Sequence, residues 1–291
     1  MTIFSHNPNT HTPFPLLTLT VQEGRCTPPN EGFGQFHWHE EVQFVLVKSG
    51  QVQVTAGGQT ALLDAGDAFF INAGAIHRVA ACDGAAYHSL LIPPKVLGFF
   101  PGSAMATCVQ MVTEHAAIAG APLRTTVPAA QPVLAALAAA DNLCRNPSDA
   151  PLAAYRAAVA VVDLWLALMD SGLLDTSVAP TPHPDRVRAI LHLIHTRYSE
   201  PLTLTAIAQA ASVSRSECLR AFKAATGTSP MRYLTRVRLD AAREALKDSS
   251  ARVTPLAAQV GFGSLNAFNR AFKAAFGLTP SAYQKHIQTS T

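Results

Sequence analysis

The sequence lacks several features that would place it in a specialised class of protein. Its five cysteines are scattered, with no CxxC pair, which argues against a disulfide framework or a zinc finger. No run approaches the ~20 apolar residues that a membrane-spanning helix requires. The first residues have neither the basic flank nor the apolar run of a signal peptide. These absences predict a soluble, cytoplasmic protein with no membrane partner.

Charged residues are few, only 14% of 291, and they are unevenly distributed. Residues 1–180 contain 7 Lys and Arg against 13 Asp and Glu, a balance of −6. Residues 181–291 contain 15 against 6, a balance of +9. A basic segment joined to an acidic one favours a polyanion, nucleic acid first, as the partner of the basic end.

A repeat dominates the basic segment. The string Arg-Ala-Phe-Lys-Ala-Ala begins at Arg220 and again at Arg270. Further identities keep the same register, among them Ser214 with Ser264, Gly227 with Gly277, Pro230 with Pro280 and Tyr233 with Tyr283. Two copies are too few for a solenoid and indicate two similar small units that work as a pair.

Each copy has the signals of two short helices joined by a tight turn. A serine precedes the second helix as its N-cap, with Glu217 completing a capping box in the first copy, and a glycine ends that helix. The pattern predicts helix-turn-helix units at about 203–225 and 254–275. A continuous helix over 231–247, ~25 Å long, would separate them. Two recognition helices held in this way suit neighbouring major grooves, which recur every ~34 Å. The alternative is that the basic residues only solvate two helices.

The acidic segment begins with β-type patterns and ends with helical ones. Short runs at 42–47, 51–55, 68–72 and 87–92 are separated by glycines at the spacing of a small barrel or sandwich, and one more strand is predicted over 16–21. From 104 to 170 the apolar period becomes helical. In the last of these helices Val159, Val162, Leu166 and Met169 form one stripe. This stripe either packs on the barrel or pairs with a second subunit.

Four polar residues in the β-type part are candidates for chemistry. On a strand, His37, His39 and Gln43 would share one face because the side-chain period is two, and His77 would join them from another strand. Three interpretations are open: polar lining of a small-molecule pocket, structural hydrogen bonding, or metal coordination.

These two segments resemble the two motifs of cupin proteins, in which an HxH pair, a Glu and a later His bind a metal. The resemblance implies a β-barrel and places His37, His39 and His77 at ligand positions. Two residues depart from the motifs, because Gln43 replaces the Glu and Asn72 replaces a proline. A neutral amide is a poor ligand beside carboxylate or imidazole alternatives. We therefore predict an effector pocket of His37, His39, Gln43 and His77 with no metal or other cofactor.

The basic segment resembles the DNA-binding domain of the AraC/XylS family of bacterial transcription regulators over about 188–286. The residues that match are Gly261-Phe262-Gly263-Ser264, Phe268, Arg270, Phe272, Gly277, Thr279-Pro280 and Tyr283. Ala267 and Gln284 depart from the family at a groove contact and at a phosphate contact. The cupin-like half is the family's commonest sensor type. The resemblance implies promoter DNA, a small-molecule effector and RNA polymerase as partners, and a homodimer.

The resemblance also assigns residues to the DNA. The base-facing positions are Ser216, Leu219 and Arg220 in the first unit and Leu265, Asn266, Asn269 and Arg270 in the second. Arg215, Lys223 and Lys273 are assigned to phosphates, and Ser264 begins the second reading helix. Arginine can read guanine, asparagine can read adenine, and leucine can pack on a thymine methyl, whereas phosphate contacts position the protein without specifying sequence.

Together these observations predict an α+β, two-domain transcription factor that is not an enzyme. Residues 1–175 would form a cupin-like, effector-sensing and dimerising β-barrel with appended helices. Residues 176–184, with three alternating prolines, would form a semi-rigid linker. Residues 185–291 would form an all-α double helix-turn-helix domain. Two other functions remain: a dioxygenase-like cupin metalloenzyme fused to a DNA-binding domain, and a non-specific architectural DNA binder.

Overall fold

The computed structural model describes residues 10–14, 19–25, 35–81, 84–115, 117–147, 152–174, 184–248 and 251–289. The chain divides into two compact units, Met1–Pro184 and Asp185–Thr291. The predicted linker over 176–184 lies outside the described residues except for its last proline, as do residues 16–18 of the predicted first strand. In the described part of the chain, no helix is long and apolar enough to span a membrane.

The first unit is rich in β-strands. They are β1 (Thr10–Phe14), β2 (Leu19–Arg25), β3 (Val42–Ser49), β4 (Gln51–Ala56), β5 (Gln59–Asp64), β6 (Ala68–Ile71), β7 (His77–Ala81), β8 (Ala86–Ile92) and β9 (Gly120–Leu123). They form two antiparallel sheets, a six-stranded one in the order β1-β2-β8-β3-β6-β9 and a three-stranded one in the order β5-β4-β7.

The sequence located β3, β4, β6 and β8 to within two residues but missed four other strands. In β5 only one side chain, Leu63, is buried, so the strand lacks the alternation that marks a half-buried strand. Its hairpin turn, Gly57-Gly58, has both residues at positive φ, which suits a two-residue hairpin connection. β9 contains Pro122, and proline argues against a strand unless the strand lies at an edge, as β9 does.

Within the described residues of this unit, four α-helices accompany the sheets, α1 (Pro94–Leu97), α2 (Ala104–Thr113), α3 (Gln131–Arg145) and α4 (Ala153–Asp170). α3 and α4 pack together. Their buried side chains share one core with the larger sheet, as in the contact between Phe70 and Trp165, whose ring centroids lie 6.2 Å apart. A second core, including Val45, Val54 and Phe69, joins residues of the two sheets.

The interpretation that the apolar stripe of α4 packs on the barrel is wrong for two of its four residues, although Met169 does pack against the core. Val159 and Leu166 of the stripe are 49% and 48% exposed. The buried face carries Val161, Leu164 and Leu168 instead. Because α4 is apolar around most of its circumference, its sequence contains two stripes at helical spacing, and periodicity alone does not show which one faces the core.

The described part of the second unit is entirely helical. Its helices are α5 (Pro184–Arg197), α6 (Leu204–Ala210), α7 (Arg215–Thr226), α8 (Pro230–Ala245), α9 (Val253–Gln259), α10 (Leu265–Phe276) and α11 (Pro280–Thr289). α6 packs with α7 and α9 with α10, and members of both pairs contact α8. At 1.5 Å per residue, the 16 residues of α8 span about 24 Å.

The predicted caps of α7 and α10 are confirmed. The Ser214 Oγ accepts a hydrogen bond from the backbone N–H of Glu217, and the Ser264 Oγ accepts one from that of Ala267, each at 3.2 Å. Both helices end at a glycine in the left-handed region, where a residue without Cβ is favoured. The reciprocal half of the predicted capping box does not form, because the Glu217 carboxylate pairs with Arg186 rather than with the Ser214 N–H. The repeat therefore encodes the same two helix ends twice.

Candidate functional site

α7 carries one buried and one exposed face. Its buried face includes Cys218 and Phe222, which are fully inaccessible, and these anchor the helix in the core. All five residues that the sequence assigned to DNA on this helix are exposed, namely Arg215, Ser216, Leu219, Arg220 and Lys223. Three of the five are cations, so the face presents positive charge where the polyanion was expected to bind.

α10 repeats this arrangement with one difference. Phe268 and Phe272 are fully buried, and the predicted DNA contacts Ser264, Asn266, Arg270 and Lys273 are exposed. Asn269 is half-buried, and Leu265 is half-buried and packs against the core that contains the two phenylalanines. Leu265 therefore has less surface available for a thymine methyl than Leu219 of α7.

Both helix pairs, α6 with α7 and α9 with α10, pack against α8. Arg238 of α8 donates hydrogen bonds to the backbone carbonyls of Tyr198 and Glu200, each at 2.7 Å, and its burial lowers the pKa of the guanidinium. Gly261, at the end of α9, approaches the same loop so closely that a Cβ would lie 2.8 Å from the Ser199 carbonyl oxygen. The sequence identified the glycine but not this contact.

Gln284 has a role that the sequence analysis missed. The resemblance placed a phosphate contact at this position. In the structure, the Gln284 Nε2 donates to the carbonyls of Asp248 and Ala251 at 3.2 and 2.9 Å. The side chain therefore bridges the connection between α8 and α9 to α11.

In the first unit, the structure brings together the three predicted histidines. The expectation that His37 and His39 lie on a strand is wrong, because they precede β3 and only His37 forms an isolated bridge, to His77. That bridge has two backbone hydrogen bonds of 2.9 Å, and the Gly74 N–H donates to the His39 carbonyl at 2.7 Å. Backbone pairing with the start of β7, rather than strand periodicity, thus brings the imidazoles together.

The three rings lie close together, with interplanar angles of 49° to 75°. The centroid of His77 lies 4.2 Å from that of His37 and 4.8 Å from that of His39. Each Nδ1 lies within hydrogen-bond distance of a carbonyl oxygen two residues away along the chain, at 2.8 to 3.1 Å. An Nδ1–H donor on His37 and on His77 leaves the Nε2 of each of these two rings with its lone pair.

Gln43, on β3, joins the cluster through its side-chain amide. Its Oε1 lies 3.0 Å from the His39 Nε2, and its Nε2 lies 2.9 Å from the Ser89 Oγ. Asn72 does not join the cluster. Its Nδ2 donates to the carbonyls of Val112 and Ile118, each at 2.8 Å, and so connects the end of β6 to the last turn of α2 and to the segment after it. Ser89 was not identified from the sequence.

Burial controls the charge of His77. His77 is completely buried and His39 is 8% exposed. Burial, followed by the neighbouring His37 and His39, lowers the pKa of His77 well below its usual value. His77 is therefore neutral at physiological pH, and its Nε2 is a buried acceptor without a hydrogen-bond partner.

Comparison with known proteins identifies two regions. Residues 25–138 match the family model described as an AraC-like ligand binding domain, and residues 207–286 match that of a helix-turn-helix domain. The chain is 28% identical over 257 residues to the HTH-type transcriptional regulator YdeC of Bacillus subtilis, covering 87% of each chain.

Other matches are shorter or more distant. An AraC-like transcription regulator of Streptomyces antibioticus is 37% identical over 122 residues, which cover 42% of this chain and 36% of that protein. The crystal structure of ToxT from Vibrio cholerae O395 aligns with 92% of this chain and 98% of its own at 12% identity, with a TM-score of 0.47.

Proposed function

We propose that this chain, which belongs to the AraC-type transcriptional regulators, binds promoter DNA through two helix-turn-helix units and does so in response to a small molecule bound in its first unit. The observation that carries the proposal is the duplicated surface of the second unit. α7 and α10 have the same caps, the same buried phenylalanine scaffold and the same exposed Arg and Lys.

The two helix-turn-helix units are α6 with α7 and α9 with α10. Both pack on α8, whose length of about 24 Å suits two reading helices that enter neighbouring major grooves. A net charge of +9 over residues 181–291 favours binding to phosphates, which supplies much of the affinity for DNA.

Within each unit, different residues have different tasks. Arg220 and Arg270 are exposed on equivalent positions and can bind guanine through two hydrogen bonds. The two units prefer different bases because their reading helices carry different residues. These are Ser216 and Leu219 in the first unit and Asn266 and Asn269 in the second. Arg215, Lys223 and Lys273 contact phosphates and set the register without reading bases.

The effector pocket is formed by His37, His39, Gln43 and His77 at the junction between β7 and the segment before β3. The two sheets close around it as a cupin-like barrel. The effector acts because it binds one arrangement of the regulator more tightly than another. We assign a sensing rather than a catalytic role to this pocket, since the amide of Gln43 supplies neither a carboxylate ligand nor a general base.

The regulator acts as a homodimer that contacts RNA polymerase. The exposed stripe of α4 supports the dimer, because Val159 and Leu166 are large apolar side chains at helical spacing that are about half exposed. Tyr155, 74% exposed, extends the same face. An amphipathic face of this kind can pair with its own copy about a two-fold axis.

Selection of binding sites from random duplex DNA tests the function. We expect the purified full chain to enrich one sequence and to bind it ~10³-fold or more tightly than random duplex at physiological salt, as specific regulators do. Equal affinity for the enriched and random duplexes would make the chain an architectural binder and would overturn the proposal.

A further inference from the structure

The histidine cluster is arranged as ligands to a metal ion are arranged. One ring nitrogen from each of His37, His39 and His77 lies within 4.8 Å of those of the other two. The cluster is held by backbone bonds on both sides, through the His37–His77 bridge and the bond from Gly74 to His39. Three ring nitrogens are therefore brought to one point by the fold rather than by side-chain rotation alone.

The second nitrogen of each ring is already engaged. The Nδ1 atoms lie 3.1, 2.9 and 2.8 Å from the carbonyl oxygens of Gln35, Glu41 and Ala75. Histidines that bind metals almost always donate their other ring N–H to a carbonyl or carboxylate, which fixes the tautomer and turns the remaining lone pair toward the ion. All three Nδ1 atoms have such a carbonyl, and the Nε2 of His39 also lies 3.0 Å from the Gln43 Oε1.

His77 provides the observation that a hydrogen-bonded lining does not explain. Its Nε2 is buried and has no hydrogen-bond partner, and leaving such an acceptor unsatisfied costs about 1–3 kcal/mol. A cation placed between the rings would satisfy it.

We propose that His37, His39 and His77 bind one divalent transition-metal ion, such as zinc or nickel, through their Nε2 atoms, and that this ion presents an open position to an anionic group of the effector. The inference rests on the proposed function for the role of the effector, and it replaces the expectation of a pocket without a metal. Imidazole ligands suit zinc, nickel and copper.

The missing carboxylate determines which effector chemistry fits. Three neutral imidazoles leave both positive charges of the ion uncompensated, and Gln43 adds none. Three protein ligands also leave a fourth position for water or a bound molecule. A carboxylate or a similar anion on the effector would occupy that position and neutralise part of the charge.

Loading requires a small rearrangement that involves Gln43. Zn–N bonds of about 2.05 Å in a tetrahedral site place ligand nitrogens about 3.3 Å apart, so nitrogens separated by up to 4.8 Å must draw together. The Gln43 amide lies 3.0 Å from the His39 Nε2 and must release it. A carboxylate at this position would instead add a charged ligand beside the ion.

Titration of the chelator-stripped full chain with Co²⁺, followed by visible absorption in the absence of DNA, tests the proposal. We expect one Co²⁺ per chain with the bands of a low-coordinate site, displaced by Zn²⁺. His37→Ala and His39→Ala should each weaken binding at least ~10-fold, while the exposed His192→Ala, outside the cluster, should not. Gln43→Glu should tighten binding at least ~10-fold, a gain that misfolding does not produce.

Azide supplies the probe for the open position. Its addition to the Co²⁺-loaded chain should change the visible spectrum, and an unchanged spectrum would overturn the open position. Absence of saturable Co²⁺ absorption, or equal binding by wild type and both cluster variants, would overturn the metal site. Intact Co²⁺ binding without sequence-specific DNA binding would instead overturn the proposed function and leave the metal site standing.

Discussion

Gly261 allows the α9–α10 pair to pack closely against the loop that contains Tyr198 and Ser199. Its φ is +89°, and a Cβ would lie 2.8 Å from the carbonyl oxygens of Tyr198 and Ser199. The first property favours glycine, and the second requires it, because the atoms met are backbone atoms that move only with the loop. The family resemblance identified this glycine, but the chain it contacts is some sixty residues away in the sequence and no local pattern reveals it.

We predict that Gly261→Ala destabilises the second unit by about 2–4 kcal/mol, from the left-handed backbone and the overpacked contact together. Urea unfolding followed by far-ultraviolet circular dichroism measures it. Gly263→Ala is a matched control, since its Cβ would meet nothing within 4 Å. Equal unfolding midpoints for the two variants would contradict the account of this contact.

Asp141 carries a buried charge, and no pattern in the sequence singles it out. Its carboxylate accepts hydrogen bonds from His88 at 2.6 Å and from Arg145 at 2.7 Å. Burial alone would raise its pKa, but these two hydrogen bonds and the Arg145 charge outweigh that effect and lower the pKa of Asp141. A lowered folded-state pKa means that the ionised carboxylate stabilises the fold above its unfolded-state pKa of about 3.9, and that this contribution disappears as the pH falls through the folded-state pKa.

Asp141→Asn should therefore cost about 1.5–3 kcal/mol at pH 7, and the difference from wild type should shrink as the pH falls below ~4. Trp165, in the same core, reports unfolding of the first unit by fluorescence. The exposed Asp163→Asn serves as the control. A difference that stays constant from neutral to acid pH would show that the carboxylate is not stabilised by its charge.

At the scale of the helix, hydrophobic periodicity predicted that α4 is a helix but did not show which of its faces is buried. Its sequence correctly predicted a helix with an apolar face, but the stripe containing Val159 and Leu166 is the exposed one. The helix has two apolar faces. One packs on α3 and the other stays accessible. The exposed face is therefore available for the proposed dimer.

We predict that Leu166→Asp converts a dimer to a monomer in sedimentation velocity, because it places a charge in an apolar interface with no partner. The dimer dissociation constant should rise at least ~10-fold. Leu62→Asp replaces another exposed leucine, on β5, and should leave the association unchanged. If both variants sediment like wild type, the stripe of α4 is not the dimer interface.

At the scale of the molecule, the sequence predicted the second unit better than the first. α7 and α10 begin at serines and end at glycines that act locally, so the sequence repeat predicted these helix ends directly. In the first unit, the approach of His77 to His37 depends on backbone pairing between distant segments, and strand periodicity suggested the wrong local structure for His37 and His39. The residues of the cluster were identified, whereas their geometry and the participation of Ser89 required the fold.

In the proposed function, α7 and α10 read two neighbouring stretches of one promoter site. Hydroxyl-radical footprinting of the full chain on its selected site should show protection centred on two segments one helical turn, ~10 base pairs, apart. Arg220→Ala and Arg270→Ala should each weaken specific binding by about 1–3 kcal/mol and relax the base preference in one segment only. Arg232→Ala, an exposed arginine of α8, should keep the preference in both. Wild-type affinity and an unchanged footprint for both reading-helix variants would contradict the claim.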